Sequence, residues 1–286
     1  VESRIESHEV LDSRQFLIAV KRLADSLSYG ADRSPFLGSG VDYVQSRPYQ
    51  YGDPIKLIDW RVTARTRKVH VKEYEAPKRM PAYLLIDTSA SMTVGSHHPT
   101  KYETALFIAG GLALACLERI SPVGVLGVGG RNLHVTPTMS KDQVMQWLHK
   151  LRTYRRDEPT SLGSRLAELT PSLTHRVLVI ILSDLHDPKA APSLRRLAQQ
   201  HDLAVLQLRD PAEEGLRGVG FVRGREAETG TPVLIRRRAR WLDQQAVEEQ
   251  FKKQGIDHLL IDVDKPYVSR LRQFFRMRDL IGRGAR

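Results

Sequence analysis

The chain has 286 residues, 41% of them hydrophobic, enough for one large domain or two small ones around a sizeable core. No run of about 18 apolar residues occurs, so hydropathy marks no bilayer-spanning helix, and the charged stretch VESRIESHEVLDSR lacks the apolar centre of a secretory signal. A net charge of +11 and a pI near 9.9 suit an acidic partner, whether protein, nucleic acid or anionic surface.

In chain order, residues 1–29 hold an amphipathic helix, with Leu11, Phe16, Ile18, Ala19, Leu23 and Leu27 at mostly helical spacing before Gly30. Residues 30–80 carry many Gly and Pro, short β-prone pieces such as VHVKEY and a turn signal at YGDP. They read as a smaller β-rich lobe. From 81 to 210 strands and helices alternate. AYLLID, VGVLGVGG, RVLVIILSDL and LAVLQLRD are strands, and LHVTPT is a short edge strand. KYETALFIAGGLALACLERI, SKDQVMQWLHKLR with Ser140 as N-cap, SLGSRLAELTPSL and APSLRRLAQQ are helices. Residues 211–240 interrupt this rhythm as a β-hairpin insertion turning near ETGT. Residues 241–286 return to helix, strand and helix, with Gly255 as the stop of the first. Basic side chains concentrate at 61–72, 236–240 and 270–286.

Near-continuous apolar strands separated by helices imply an α/β fold, a mostly parallel sheet with helices on both faces. The single Cys116 sits in the most apolar helix, so packing is its expected role; one cysteine forms no internal disulfide or zinc cluster, and this usage suits the cytoplasm.

Two strands end on acids, LLID at Asp87 and IILSD at Asp184. In open α/β sheets ligands bind at the carboxyl ends of the strands. The stretch DTSAS places Asp87, Ser89 and Ser91 in one tight loop, and the polar loop DEPTSLGSRL brings Thr160 to the same edge. An all-oxygen set suits Mg²⁺, Mn²⁺ or Ca²⁺ rather than Zn²⁺. Neutral hydroxyls leave such an ion hungry for charge, which an Asp or Glu of a partner protein supplies.

DTSAS, then Thr160 opening a helix, then LSD ending a later strand, resembles the metal-ion-dependent adhesion site of von Willebrand factor A domains. The resemblance implies a von Willebrand A-like fold, with Ser89, Ser91 and Thr160 as hydroxyl ligands and Asp87 and Asp184 acting largely through water. Glu158 and Pro159 stand where that pattern has glycines, and Ser161 where it has Asp. Further, RPYQYGDPIKLIDWRVTARTRKVHVKEYE (47–75) and the ending GIDHLLIDVDKPYVSRLRQFFRMR resemble the bacterial "domain of unknown function 58" family. That resemblance implies a non-catalytic adaptor working with a MoxR-type AAA+ ATPase in the assembly or maturation of other proteins.

Other motifs have competing readings. Asp53, Asp59, Trp60 and Arg61 form either a partner-binding edge or the glue of the lobe, with Trp60 packed and Asp59 paired to an arginine. RTRK (65–68) is a phosphate grip or a solvated turn. VGVLGVGG lacks G-x-G-x-x-G spacing and a Walker lysine, so nucleotide binding is not expected. His97 and His98 are a soft-metal pair or a surface turn, and Asp187 a distant support of the metal or a helix cap. A metal-dependent phosphohydrolase using Asp87, with His186 close to Asp184, is one alternative function, although no G-x-S-x-G elbow is present. A nucleic-acid or anionic-surface binder is another; its affinity would fall steeply with salt and ignore chelators.

Overall fold

A computed structural model describes residues 13–28, 42–75, 80–96, 98–118, 120–131, 133–154, 158–187, 189–214, 221–225, 232–236 and 244–281. The elements in chain order are α1 (Ser13–Ser28), β1 (Asp42–Pro48), α2 (Trp60–Thr66), β2 (His70–Glu75), β3 (Ala82–Ile86), α3 (Lys101–Glu118), β4 (Val123–Gly127), β5 (His134–Thr138), α4 (Lys141–Arg152), α5 (Leu162–Leu169), β6 (Leu178–Ser183), α6 (Ala190–Gln200), β7 (Asp202–Arg209), β8 (Phe221–Arg225), β9 (Pro232–Arg236), α7 (Gln244–Gln254), β10 (Asp257–Asp262) and α8 (Val268–Ile281).

Six strands form one sheet in the order β10-β7-β6-β3-β4-β5. Every pairing is parallel except the edge pair β4–β5. The strand direction alternates side chains between two cores. Leu84, Ile86, Ile180 and Leu182 face the layer containing α1, α3, α4 and α8. Leu85, Val179 and Ile181 face α5, α6 and α7. Both faces are therefore covered, which is why β3 and β6 read as unbroken apolar runs rather than alternating ones. Each such fully buried side chain contributes about 1.5–3 kcal/mol. This is the α/β class expected from the sequence, a mostly parallel sheet with helices on both faces.

The helix α3 is apolar nearly all round because it is buried nearly all round, from Lys101 to Cys116. It lies between the sheet and α1, whose Phe16, Val20, Leu23 and Ala24 are buried. Ile18, counted from spacing alone with the buried face, is instead 46% exposed. The two helices approach closely: a Cβ on Gly111 would lie 2.5 Å from Leu23 Cδ2. The start of α3 is a capping box. Thr100 N donates to Glu103 Oε2 at 2.9 Å and Glu103 N to Thr100 Oγ1 at 3.2 Å. Ser140 caps α4 as expected, accepting from Gln143 N, and Gly255 ends α7 with φ +69°.

The lobe at 42–75 departs from an all-extended arm. β1 and β2 pair antiparallel, but α2 lies between them. Asp59 starts that helix by accepting from Arg61 N at 3.1 Å and Val62 N at 3.2 Å. The helix is only seven residues long and rich in β-branched side chains, so its periodicity is not readable. β8 and β9 pair antiparallel in the expected insertion; its turn ETGT and the basic residues 237–240 lie outside the described residues, as do 282–286 of the basic C-terminal stretch.

Candidate metal-binding site

β3 and β6 are parallel neighbours, so their carboxyl ends deliver Asp87 and Asp184 to one edge of the sheet. Asp87 is 0% exposed. Its Oδ2 accepts from Ser183 Oγ at 2.6 Å and its Oδ1 from Ser89 N at 3.0 Å. That second bond folds the loop back, so that Ser89 Oγ and Ser91 Oγ come within 2.9 Å of each other. Cis oxygens around an ion with bonds of roughly 2.0–2.1 Å are themselves about 2.9 Å apart. The same distance is that of the hydrogen bond the two hydroxyls make with each other, and it is compatible with both serving as cis ligands of a hard divalent cation.

The Thr160 segment joins this loop through the backbone. Ser89 and Glu158 form a parallel bridge, and Ala90 N donates to Glu158 O at 2.9 Å. Thr160 follows, half-buried. Glu158, which replaces a glycine of the adhesion-site pattern, turns its buried carboxylate onto Arg131 N. Ser161 donates to Gly129 O at 2.7 Å, tying the start of α5 to the end of β4.

Asp184 has a different neighbourhood. Its Oδ2 accepts from Lys101 Nζ at 2.8 Å and lies 3.3 Å from His186 Nδ1. Lys101 is 1% exposed and also contacts Glu213 Oε1. Leu185, at φ +61°, reverses the chain so that His186 returns to Asp184. Asp184, His186 and Glu213 offer donor atoms all within 4.8 Å of one another; the Lys101 ammonium is the cation that contacts both carboxylates there.

The electrostatics follow from these contacts. Burial, then the negative charge of Asp184, pushes the Asp87 carboxyl up to about 6, against the hydrogen bonds from Ser183 and Ser89. No cation contacts Asp87 among the described residues. Burial alone would raise Asp184 too, yet the His186 hydrogen bond and the Lys101 charge outweigh it and hold this carboxyl well below the usual range. Burial would lower Lys101, but Asp184 and Glu213 more than offset that. At this edge Asp184 and Glu213 thus share the Lys101 cation, and Asp87 has none among the described residues. An added positive charge beside Asp87 is what the donor set lacks.

Of the candidate partner edge, Asp53 is bound bidentately by Arg47 at 2.8 Å through both oxygens. Asp59 is buried, capping α2 and accepting from Ser46 Oγ at 2.7 Å. Both carboxylates are spent within the lobe, and the partner of Asp59 is Ser46 rather than an arginine. Trp60 is 68% exposed, so it is not the packed glue of the alternative reading, and Arg61 is exposed. His98 is exposed and 3.9 Å from Glu103, while His97 lies outside the described residues. Asp187 is a connector: it accepts from Gly163 N at 2.7 Å and Lys189 N at 2.9 Å, joining the starts of α5 and α6.

Sequence reasoning missed Lys101 and Glu213. Lys101 had a signal: a lysine opening an apolar helix opposes the helix dipole and implies nearby anions. Glu213, 112 residues away, had none.

A family model described as "Protein of unknown function DUF58" matches residues 45–258, and the chain belongs to that family. Uncharacterized protein Mb1516 of Mycobacterium bovis and Uncharacterized protein Rv1480 of Mycobacterium tuberculosis are each 27% identical over 222 residues, covering 76% of this chain and 70% of theirs. Among solved structures, BatB from Bacteroides thetaiotaomicron is similar with a TM-score of 0.48 at 16% identity, over 70% of this chain and 99% of that one. The SpRpn10 VWA domain gives 0.39 at 13% identity, over 67% and 93%. With scores this low, the fold assignment stands on strand order and direction. No helix among the described residues is long and apolar enough to cross a membrane.

Proposed function

We propose that this protein is a non-catalytic adaptor that captures an acidic residue of a partner protein through a divalent cation, Mg²⁺ in the first instance. Ser89, Ser91 and Thr160 would hold the ion, and Asp87 and Asp184 would orient its surroundings. The observation that carries this reading is the pair of hydroxyls 2.9 Å apart beside a buried carboxylate that no cation contacts among the described residues. Bound there, the ion supplies an electrophilic point for an incoming carboxylate. Ser89, Ser91 and Thr160 bring no formal charge, so the attraction for that carboxylate is little reduced. Against a hydrolase that would use Asp87 as its nucleophile, both oxygens of Asp87 are held in hydrogen bonds and the group is buried.

The lobe at 42–75 provides a second contact in this proposal. Trp60, Tyr51 and Ile55 are exposed at 68%, 104% and 73%. Lys56, Arg61, Arg65, Arg67 and Lys68 are exposed around them in sequence, with no acidic partner among the described residues. Aromatic and arginine side chains of this kind anchor protein interfaces. A MoxR-type AAA+ ATPase is the partner that the family resemblance implies.

A pull-down with the whole chain tests the reading, in Mg²⁺ and in EDTA, comparing wild type with Asp87→Ala and Thr160→Ala. Wild type in Mg²⁺ is expected to retain partners that EDTA and both substitutions release. Identical capture in every arm would sink the adaptor mechanism.

A further inference from the structure

We propose that Lys101 is a built-in competitor for the divalent cation, and that it links cation affinity to the segment 210–214 at the root of the β8–β9 hairpin. The inference rests on the metal reading above and assigns a positioning residue to it.

Three observations carry it. First, the Lys101 ammonium is buried and bonded to Asp184 at 2.8 Å, so one of the two acids at this sheet edge is already neutralised by the chain itself. A divalent ion drawn to the hydroxyls of the same sheet edge shares a poorly screened site with that charge. Second, Lys101 stands at the first position of α3, where the helix dipole disfavours a cation. Burying it there is costly unless its anions are in place. The residue is thus held by Asp184 and Glu213 rather than by its own helix.

Third, Glu213 comes from the turn Pro211–Glu214 that follows β7. This turn is fastened to the loop carrying the hydroxyls: Asp210 accepts from Ser96 N at 2.9 Å and Ser96 Oγ at 2.7 Å. The approach is close enough that a Cβ on Gly95 would lie 2.5 Å from Asp210 Oδ2. The ammonium already touches both acids. It shifts its charge toward Glu213 by rotating terminal side-chain bonds, with no movement of α3. Asp184 then keeps its contacts with His186 but is relieved of the ammonium, and more of its charge faces the ion. A partner that displaces the 210–214 turn removes Glu213 and returns the ammonium to Asp184, which weakens the ion's hold.

The test is a Mn²⁺ titration of the whole chain, read as bound against free metal, with wild type, Lys101→Met, Glu213→Gln and Ser89→Ala. Lys101→Met is expected to bind on the order of tenfold tighter, and Glu213→Gln several-fold weaker. A purely structural ion pair would not produce opposite signs. If Ser89→Ala loses the ion while Lys101→Met and Glu213→Gln bind like wild type, the Lys101 proposal is overturned and the metal reading stands. If Ser89→Ala binds as wild type does, or none of the four binds, the metal reading fails and takes this proposal with it. Binding by Lys101→Met but not by wild type supports the proposal where adding Ser89→Ala to that variant abolishes it; binding that survives Ser89→Ala puts the ion on Asp184, His186 and Glu213 and overturns the proposal. Should Lys101→Met not fold, Glu213→Gln decides, and wild-type affinity in that variant overturns it.

Discussion

The carbonyl of Glu158 accepts from Ala90 N at 2.9 Å, and this bond stitches the Thr160 segment to the loop that carries Ser89 and Ser91. The neighbouring space leaves no tolerance. A Cβ on Gly129 would lie 2.3 Å from Thr88 Oγ1 and 2.6 Å from Glu158 Oε2. Gly129→Ala is therefore expected to destabilise by about 1–3 kcal/mol and to weaken Mg²⁺ binding. Gly130→Ala, whose nearest contact would be Pro159 Cδ at 3.3 Å, is the milder control. Equal melting temperatures for the two variants would contradict the packing account.

Ser91→Ala separates binding from folding. Ser91 is half-buried, and its hydroxyl bonds to that of Ser89. Losing that bond costs the metal-free protein about 1 kcal/mol or less. The rise in melting temperature on adding Mg²⁺ is expected to disappear, because a ligand stabilises only the state that binds it. Retention of the full rise in Ser91→Ala would remove this hydroxyl from the ligand set.

Asp87→Asn tests the uncompensated charge. The folded carboxyl sits at about 6, raised from 3.8 chiefly by burial. The folded state thus holds the proton more tightly than the unfolded state, and metal-free stability falls as pH rises between those two values. At pH 7 the substitution is expected to stabilise the metal-free protein by about 1–3 kcal/mol, an advantage that vanishes below about pH 4. With Mg²⁺ present the order should reverse. Chemical denaturation at pH 7 and pH 4, with EDTA, gives the answer; no gain at pH 7 would place a cation on Asp87.

His258 governs acid sensitivity away from the site. It lies 2.9 Å from Gln207 Oε1 and stacks edge-on to Phe251 at 5.1 Å between ring centres. Burial lowers it from 6.5 to about 4. Between those values the unfolded state binds the proton and the folded state does not, so stability falls as pH falls through this window. The loss is on the order of 2–3 kcal/mol, and His201, also lowered by burial, adds in the same direction. His258→Gln is expected to remove this fall, so that between about pH 6 and about pH 4 the opposite contribution of Asp87 is no longer offset and metal-free stability rises as pH falls. An unchanged slope would show that His258 titrates normally.

Exposure of Trp60 gives a fourth kind of readout. Trp60→Ala is expected to leave the melting temperature within the range of ordinary surface changes, about 0.5 kcal/mol, while reducing partner capture. A large loss of stability would mean the ring is packed, contrary to its 68% exposure.

Much of this was legible in the sequence, because the strand and helix patterns are local consequences of which faces are buried. The unbroken apolar runs at 82–86 and 178–183 announced a sheet covered on both faces, and their terminal acids, Asp87 and Asp184, announced the edge where a ligand would sit. The spacing of Ser89 and Ser91 and the Thr160 loop marked candidate oxygen donors, and the folded chain brings those two loops together. Three things came only from the folded chain. The helix α2 depends on Asp59 being buried against Ser46, a contact made across β1, not within a periodic stretch. Trp60 and Arg61 face outward while Asp53 and Asp59 are consumed internally, and neighbours in sequence carry no label for that division. Lys101 meets Asp184 and Glu213 across 83 and 112 residues. Charge pairing at that separation is set by which strand ends lie side by side, so the sequence declares the charges and only the tertiary structure decides which of them are already answered.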